Sequence, residues 1–109
     1  MLAIVGGTGL YELPDFAADE RSSAPTPFGA PSGDVVAGRW CGQRVLFLAR
    51  HGSGHRLLPH EINYRANIFA LKSLGVSHVI SVSAVGSMKE SIQPGEVVVP
   101  DQFIDLTKR

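Results

Sequence analysis

The sequence predicts an α/β fold with a mostly parallel central sheet flanked by helices. Three apolar runs carry that expectation: Leu2-Ala3-Ile4-Val5, Val45-Leu46-Phe47-Leu48 and the stretch around Val79-Ile80. Each passes directly into a loop of small or polar residues. Apolar character on both faces is the mark of a strand buried within a parallel sheet. A helix-length segment separates the second run from the third, so 44–49, 60–74 and 77–83 have the proportions of a βαβ unit. Segments 2–5, 44–49 and 77–83 are therefore expected as neighbouring strands.

The elements follow in order. Residues 2–5 form a first, central strand. Residues 13–32 carry Pro14, Pro25, Pro27 and Pro31 among Ser, Ala and Gly, and are expected to be an irregular excursion. Residues 34–40 and 43–49 are strand-like, and the short Cys41-Gly42 connection makes them a β-hairpin. Residues 60–74 give the best helix: Ile62, Ala66, Phe69, Ala70 and Leu74 recur at helical spacing, with Pro59 near the start and Gly75 just after. The N-terminus of that helix points back towards the loop 50–55, where its dipole favours an anion. Residues 77–83 are a further buried strand, ending in Ala84-Val85-Gly86-Ser87. Another apolar run, 96–100, follows the Pro94-Gly95 turn. No internal repeat or low-complexity tract is visible.

Composition narrows the function classes. With 109 residues the chain is at most one domain, near the small end for an enzyme. Ten Lys and Arg balance ten Asp and Glu, so no basic surface argues for nucleic acid or an anionic membrane. Each arginine then calls for its own explanation. Cys41 is the only cysteine, which excludes an internal disulfide and fits a reducing compartment. There is no basic start with a long apolar core, and no run of membrane-spanning length, so a cytoplasmic protein is expected.

Chemistry concentrates in Ala49-Arg50-His51-Gly52-Ser53-Gly54-His55, just past the second strand. Arginine offers a rigid fork of donors suited to phosphate, histidine a donor or proton carrier, and glycine a close backbone approach. A polar turn leaving a strand is the alternative. Gly6-Gly7-Thr8-Gly9 ends the first strand in a second glycine loop. It is neither a Walker loop nor a complete dinucleotide fingerprint, and a tight structural turn is its alternative. The convergence of the loops is the stronger signal. Ligands of open α/β sheets bind beyond the carboxyl ends of parallel strands, and Thr8, Arg50-His51 and Ser83-Ala84 each follow such an end. Together they would form an oxyanion site, with phosphate its commonest occupant.

Other residues carry plainer expectations. His78 is expected as a satisfied core or interface histidine, His60 as a cap at the helix start, and His55 as part of the loop lining the site. The spacing of His51, His55 and His60 is too irregular for zinc and lacks an adjacent carboxylate or cysteine set. Phe69 and Leu71 are core or subunit-contact candidates. Asn63, Tyr64, Arg65 and Asn67 form a polar run that either anchors the loop or faces solvent.

Seven segments in register extend this pattern: Ile4-Val5-Gly6-Gly7-Thr8-Gly9-Leu10, Thr26-Pro27-Phe28-Gly29, Ala49-Arg50-His51-Gly52, Asn63-Tyr64-Arg65-Ala66-Asn67, Ser83-Ala84-Val85-Gly86-Ser87, Gln93-Pro94-Gly95-Glu96 and Asp101-Gln102-Phe103-Ile104-Asp105. Through them the chain resembles the 5′-methylthioadenosine phosphorylases, within the trimeric purine nucleoside phosphorylase family, over essentially its whole length. The resemblance implies that residues 1–109 are the N-terminal part of a single nucleoside phosphorylase domain. It implies phosphorolysis of a purine nucleoside, most simply 5′-methylthioadenosine, to a purine base and a ribose 1-phosphate. It places phosphate ligands at Thr8, Arg50, His51, Ser83 and Ala84, assigns no catalytic residue within this chain, and requires no metal or organic cofactor, phosphate being a co-substrate. Serine at position 83 keeps the hydroxyl of the threonine common there. A homotrimer is implied as well.

The departure from the family is one of length. Members are more than twice as long, and their second half carries the purine-recognising acidic residues and much of the sugar pocket. Asp101 and Asp105 do not stand at those positions. The resemblance therefore implies a companion C-terminal segment, and the basic Lys108-Arg109 end suits a cleavage site, a truncated chain or a split gene. A non-catalytic α/β phosphate-binding or assembly fragment is the alternative. Among enzymes, 6-oxopurine nucleosides or methylthioinosine are the alternative substrates.

Overall fold

A computed structural model describes residues 1–10, 12–23 and 25–106; Thr107, Lys108 and Arg109, with the basic end discussed above, lie outside the described residues. The elements are β1 (Leu2–Gly6), β2 (Ala17–Ser22), β3 (Val35–Trp40), β4 (Gln43–Ala49), a 3-10 turn at Pro59–Glu61, α1 (Tyr64–Ser73) and β5 (His78–Val82). The five strands form one sheet in the order β2-β3-β4-β1-β5.

β1 runs parallel to both of its neighbours, with Ile4 opposite Phe47 of β4 and Ile80 of β5. The three strands expected to adjoin one another do so, and the crossover from β4 through α1 to β5 passes over β1. β3 joins β4 antiparallel, as the hairpin predicted from Cys41-Gly42. Both turn residues have positive φ, 50° and 77°, which matches the turn to the twist of its strands.

One strand escaped the sequence. The excursion 13–32 contains β2, antiparallel to β3 and bulged between Ala18 and Glu20. Ala-Ala-Asp-Glu-Arg-Ser has little strand propensity, and the backbone hydrogen bonds to β3 override it. Its charges suit an edge, where they discourage further pairing. Asp19 and Glu20 both reach Arg44 of β4, at 3.3 and 3.9 Å.

The helix is shorter than its apolar periodicity suggests. His60 belongs to the 3-10 turn, and Ile62 has extended backbone that interrupts any continuation. Asn63 caps α1 in place of His60, its Oδ1 accepting from the Ala66 N–H at 3.1 Å.

Each face of the sheet has its own core. Ala3, Val5, Leu46, Leu48, Val35 and Ala37 pack against Ala70 and Leu71 of α1. On the other face Ile4, Val45 and Phe47 are covered by Leu13, with Leu10 and Phe16 around it. The Trp40 indole N–H donates to the Pro14 carbonyl at 2.8 Å, tying this cover to the sheet. Burying one such aliphatic side chain contributes about 1.5–3 kcal/mol.

β5 differs from the buried strand predicted at 77–83. Val79, Ile80 and Val82 are 44%, 52% and 39% exposed, although their pattern is that of an interior strand. α1 roofs β4 and β1 rather than β5, and the cover on the opposite face does not extend that far. His78 is exposed too, its Nδ1 2.9 Å from the Ser77 hydroxyl, so of the core or interface positions expected it does not take the core one. Residues 96–100 form no strand, and Val97, Val98 and Val99 are exposed. Among the described residues no helix is long and apolar enough to cross a membrane.

Candidate functional site

The register sets the ends of β4, β1 and β5 level, with Gly6 opposite both Ala49 and Val82. Two backbone hydrogen bonds carry the alignment into the loops: Arg50 N–H to the Gly6 carbonyl at 2.8 Å, and Gly7 N–H to the Val82 carbonyl at 2.7 Å. Thr8, Arg50 and Ser83 therefore leave the sheet at the same end.

The Arg50 side chain crosses β1 to reach β5. Its Nη1 donates to the Ser81 hydroxyl at 3.4 Å and its Nη2 to the Ser83 hydroxyl at 3.2 Å. The route passes over Gly7, where a Cβ would collide with the guanidinium and with the Val82 carbonyl. Gly7 is thus glycine for a close approach, not for an unusual φ. Among the described residues Arg50 makes no ion pair. Its Nε is the one buried side-chain nitrogen or oxygen among them with no hydrogen-bond partner. An unpaired buried donor costs about 1–3 kcal/mol, which an anionic acceptor would offset.

The other residues singled out in the sequence surround this arginine unequally. Thr8 is exposed, in a turn closed by the Leu10 N–H on the Gly7 carbonyl at 3.0 Å. Ser83 and Ala84 are exposed where the chain leaves β5. His51 is only 4% exposed, and its Nδ1 lies 2.9 Å from the Leu57 carbonyl. A carbonyl only accepts, so Nδ1 carries the proton. The His51 and His55 rings stack with centroids 4.3 Å apart and planes at 15°. A cleft of ≈ 550 Å³ opens here, lined by Gly9, Glu12, Gly54 and His55.

Further out, Asn67 is buried and bridges Ser32, accepting from its N–H at 2.8 Å and donating to its hydroxyl at 2.9 Å. The Arg56 guanidinium donates to the Ser32 carbonyl at 2.8 Å, and Asn63 donates to the Phe28 carbonyl at 2.6 Å. Asn63 and Asn67 thus anchor the segment 28–32, while Tyr64 and Arg65 face solvent. Leu71 is core, and Phe69 stands edge-on to Phe28 at 5.8 Å. Sequence reasoning passed over Ser81, although residues two apart on a strand share a face, so Ser83 already pointed to it.

Residues 1–109 match the phosphorylase superfamily along their whole length. The chain belongs to the phosphorylase superfamily. Within that superfamily it is 56% identical over 107 residues to the S-methyl-5′-thioadenosine phosphorylase of Geobacter sulfurreducens, covering 98% of this chain and 37% of that protein. The corresponding enzyme of Hyperthermus butylicus is also 56% identical, with 98% and 39% covered. Among solved structures, methylthioadenosine phosphorylase from Schistosoma mansoni in complex with adenine superposes with a TM-score of 0.82 at 40% identity, over 87% of this chain and 33% of that one. A methylthioadenosine phosphorylase from an antarctic soil metagenomic library gives 0.76 at 52% identity, over 85% and 32%. The phosphorylase-superfamily chain described here thus spans between a third and two-fifths of the length of its curated relatives.

Proposed function

We propose that this chain supplies the phosphate site of a cytoplasmic purine nucleoside phosphorylase acting on 5′-methylthioadenosine. The observation that carries the proposal is Arg50, held over Gly7 by two serine hydroxyls, with a buried Nε–H unpaired and no carboxylate against its charge among the described residues. Thr8, His51, Ser83 and the Ala84 backbone complete the set of phosphate ligands. The substrate follows from the names of the relatives, whose likeness spans nearly all of this chain.

In the proposed reaction an oxygen of phosphate attacks the anomeric carbon as the bond from that carbon to the purine nitrogen breaks. The electron pair leaves with the base, and the products are the purine and 5-methylthioribose 1-phosphate. Positive character develops on the sugar during bond breaking. A phosphate dianion fixed beneath the ring supplies the nucleophile and stabilises that charge. Phosphate is a co-substrate, and no further cofactor is invoked. The groups that recognise the purine belong to a companion C-terminal segment, and the assembly is a homotrimer.

Titration of the chain with inorganic phosphate tests the site. Arg50→Ala should weaken binding about ten- to hundredfold, the worth of a charge-assisted hydrogen-bond pair, whereas Lys72→Ala on the exposed side of α1 should not. Equal affinities would remove the assignment. Phosphate binding without nucleoside binding, even in the presence of the companion segment, would favour a non-catalytic phosphate-binding fragment instead.

A further inference from the structure

We propose that His55 is a positioning residue for the phosphate site, acting through the ring of His51. The inference rests on the phosphate reading of Arg50 and His51 and adds to it the residue whose ring stacks on His51.

The segment 51–57 is closed on itself. The Leu57 N–H donates to the His51 carbonyl at 2.9 Å while the His51 ring donates from Nδ1 to the Leu57 carbonyl at 2.9 Å. That pair of bonds commits Nδ1 to the backbone and leaves Nε2 as the ring atom that can turn to a ligand. It does not fix the tilt of the imidazole about its own bonds. The His55 ring does, lying face-on against His51 with centroids 4.3 Å apart. His55 also borders the cleft it shares with Gly9, Glu12 and Gly54. The second residue therefore meets both a buried imidazole and the space where substrate would enter.

The backbone shows that the ring is what this position supplies. His55 has φ of +54°, in the left-handed region where a side chain costs about 1 kcal/mol and glycine costs nothing. Its neighbours Gly52 and Gly54, at φ +76° and +75°, are glycines in the same region. A third glycine at 55 would relax the loop. The chain places an imidazole there instead, and that imidazole stacks on the residue beside Arg50.

The opposition between backbone and ring gives the test. Wild-type chain, Arg50→Ala, His55→Gly and His55→Phe are titrated with inorganic phosphate, and each is followed by thermal melting. His55→Gly should weaken phosphate binding about tenfold while its melting temperature holds or rises, since the ring is lost and the strain relieved. His55→Phe keeps a flat ring in the stack and should stay within about threefold of wild type. An unchanged affinity in His55→Gly, with Arg50→Ala still impaired, overturns the inference and spares the phosphate site. Loss of affinity in His55→Gly together with a lower melting temperature also overturns it, by showing a structural role. Equal loss in the Phe and Gly variants overturns it as well, since His55 would then act through its nitrogens. If Arg50→Ala binds phosphate as well as wild type, or wild type binds none, the phosphate reading itself falls.

Discussion

Arg50 reaches across a strand because the residue under it has no side chain. A methyl group at Gly7 would meet the guanidinium on one side and the Val82 carbonyl on the other, and only the guanidinium can move. Gly7→Ala should therefore displace Arg50 from Ser81 and Ser83 and reduce phosphate affinity nearly as far as Arg50→Ala. The accompanying stability cost should be about 1–3 kcal/mol, the usual effect of overpacking. Calorimetry and thermal melting on the two variants check both parts, and full phosphate affinity in Gly7→Ala would show that Arg50 does not bind from this position. The sequence made much of this visible. Arg50 and Ser83 stood out as polar groups just past apolar strands. What Gly7 is for did not, because a glycine required by a close approach has the same letter as one required by a turn.

The elements are held to the site by amides. Asn63 caps α1 and holds the Phe28 carbonyl, while Asn67 makes two bonds to Ser32 from a site only 4% exposed. Asn67→Ala leaves the Ser32 N–H and hydroxyl without partners in the interior and should cost about 2–4 kcal/mol, a donor and an acceptor each unsatisfied. Asn63→Ala loses a cap and should cost about 1–2 kcal/mol. Urea denaturation of each variant, with Lys72→Ala as the neutral reference, measures the difference; an Asn67 variant as stable as Lys72→Ala would mean that segment 28–32 is not anchored there. At this scale the sequence was legible where apolar period and turn chemistry agreed, as in β1, the β3–β4 hairpin and the body of α1. It failed where pairing replaced pattern. β2 is a strand because β3 offers it hydrogen bonds, and nothing in Ala-Ala-Asp-Glu-Arg-Ser announces that. Likewise the polar run 63–67 divided into two anchors and two solvated residues only once α1 was seated against 28–32.

At the scale of the molecule, β5 has the composition of an interior strand and the exposure of an edge. Among the described residues its outer backbone edge pairs with no other strand, and Val79, Ile80 and Val82 present apolar surface on both faces, with Val85, Phe103, Ile104 and Leu106 exposed beyond them. Such surface favours association. Light scattering on the purified chain should therefore find self-association, or a complex with a companion segment, instead of a monodisperse monomer. Methylthioadenosine phosphorolysis should be absent from the chain alone and return when the C-terminal segment is supplied. A monomeric 109-residue protein turning over nucleoside at ordinary enzyme rates would contradict both expectations.

β1 is the central strand of the parallel trio, and both of its partners follow it in the chain. Its partners Phe47 and Ile80 lie far along the chain, so both sides of Ile4 depend on long-range pairing. The β3–β4 hairpin, closed by two residues, can form early; the middle of the sheet cannot. The glycine loop at the end of β1 shares that dependence, because the Gly7 N–H donates to the carbonyl of Val82 at the end of β5. In a nascent chain, the ability to hold an anion would therefore follow the docking of β5 on β1, and a phosphate-sensitive probe would time that event.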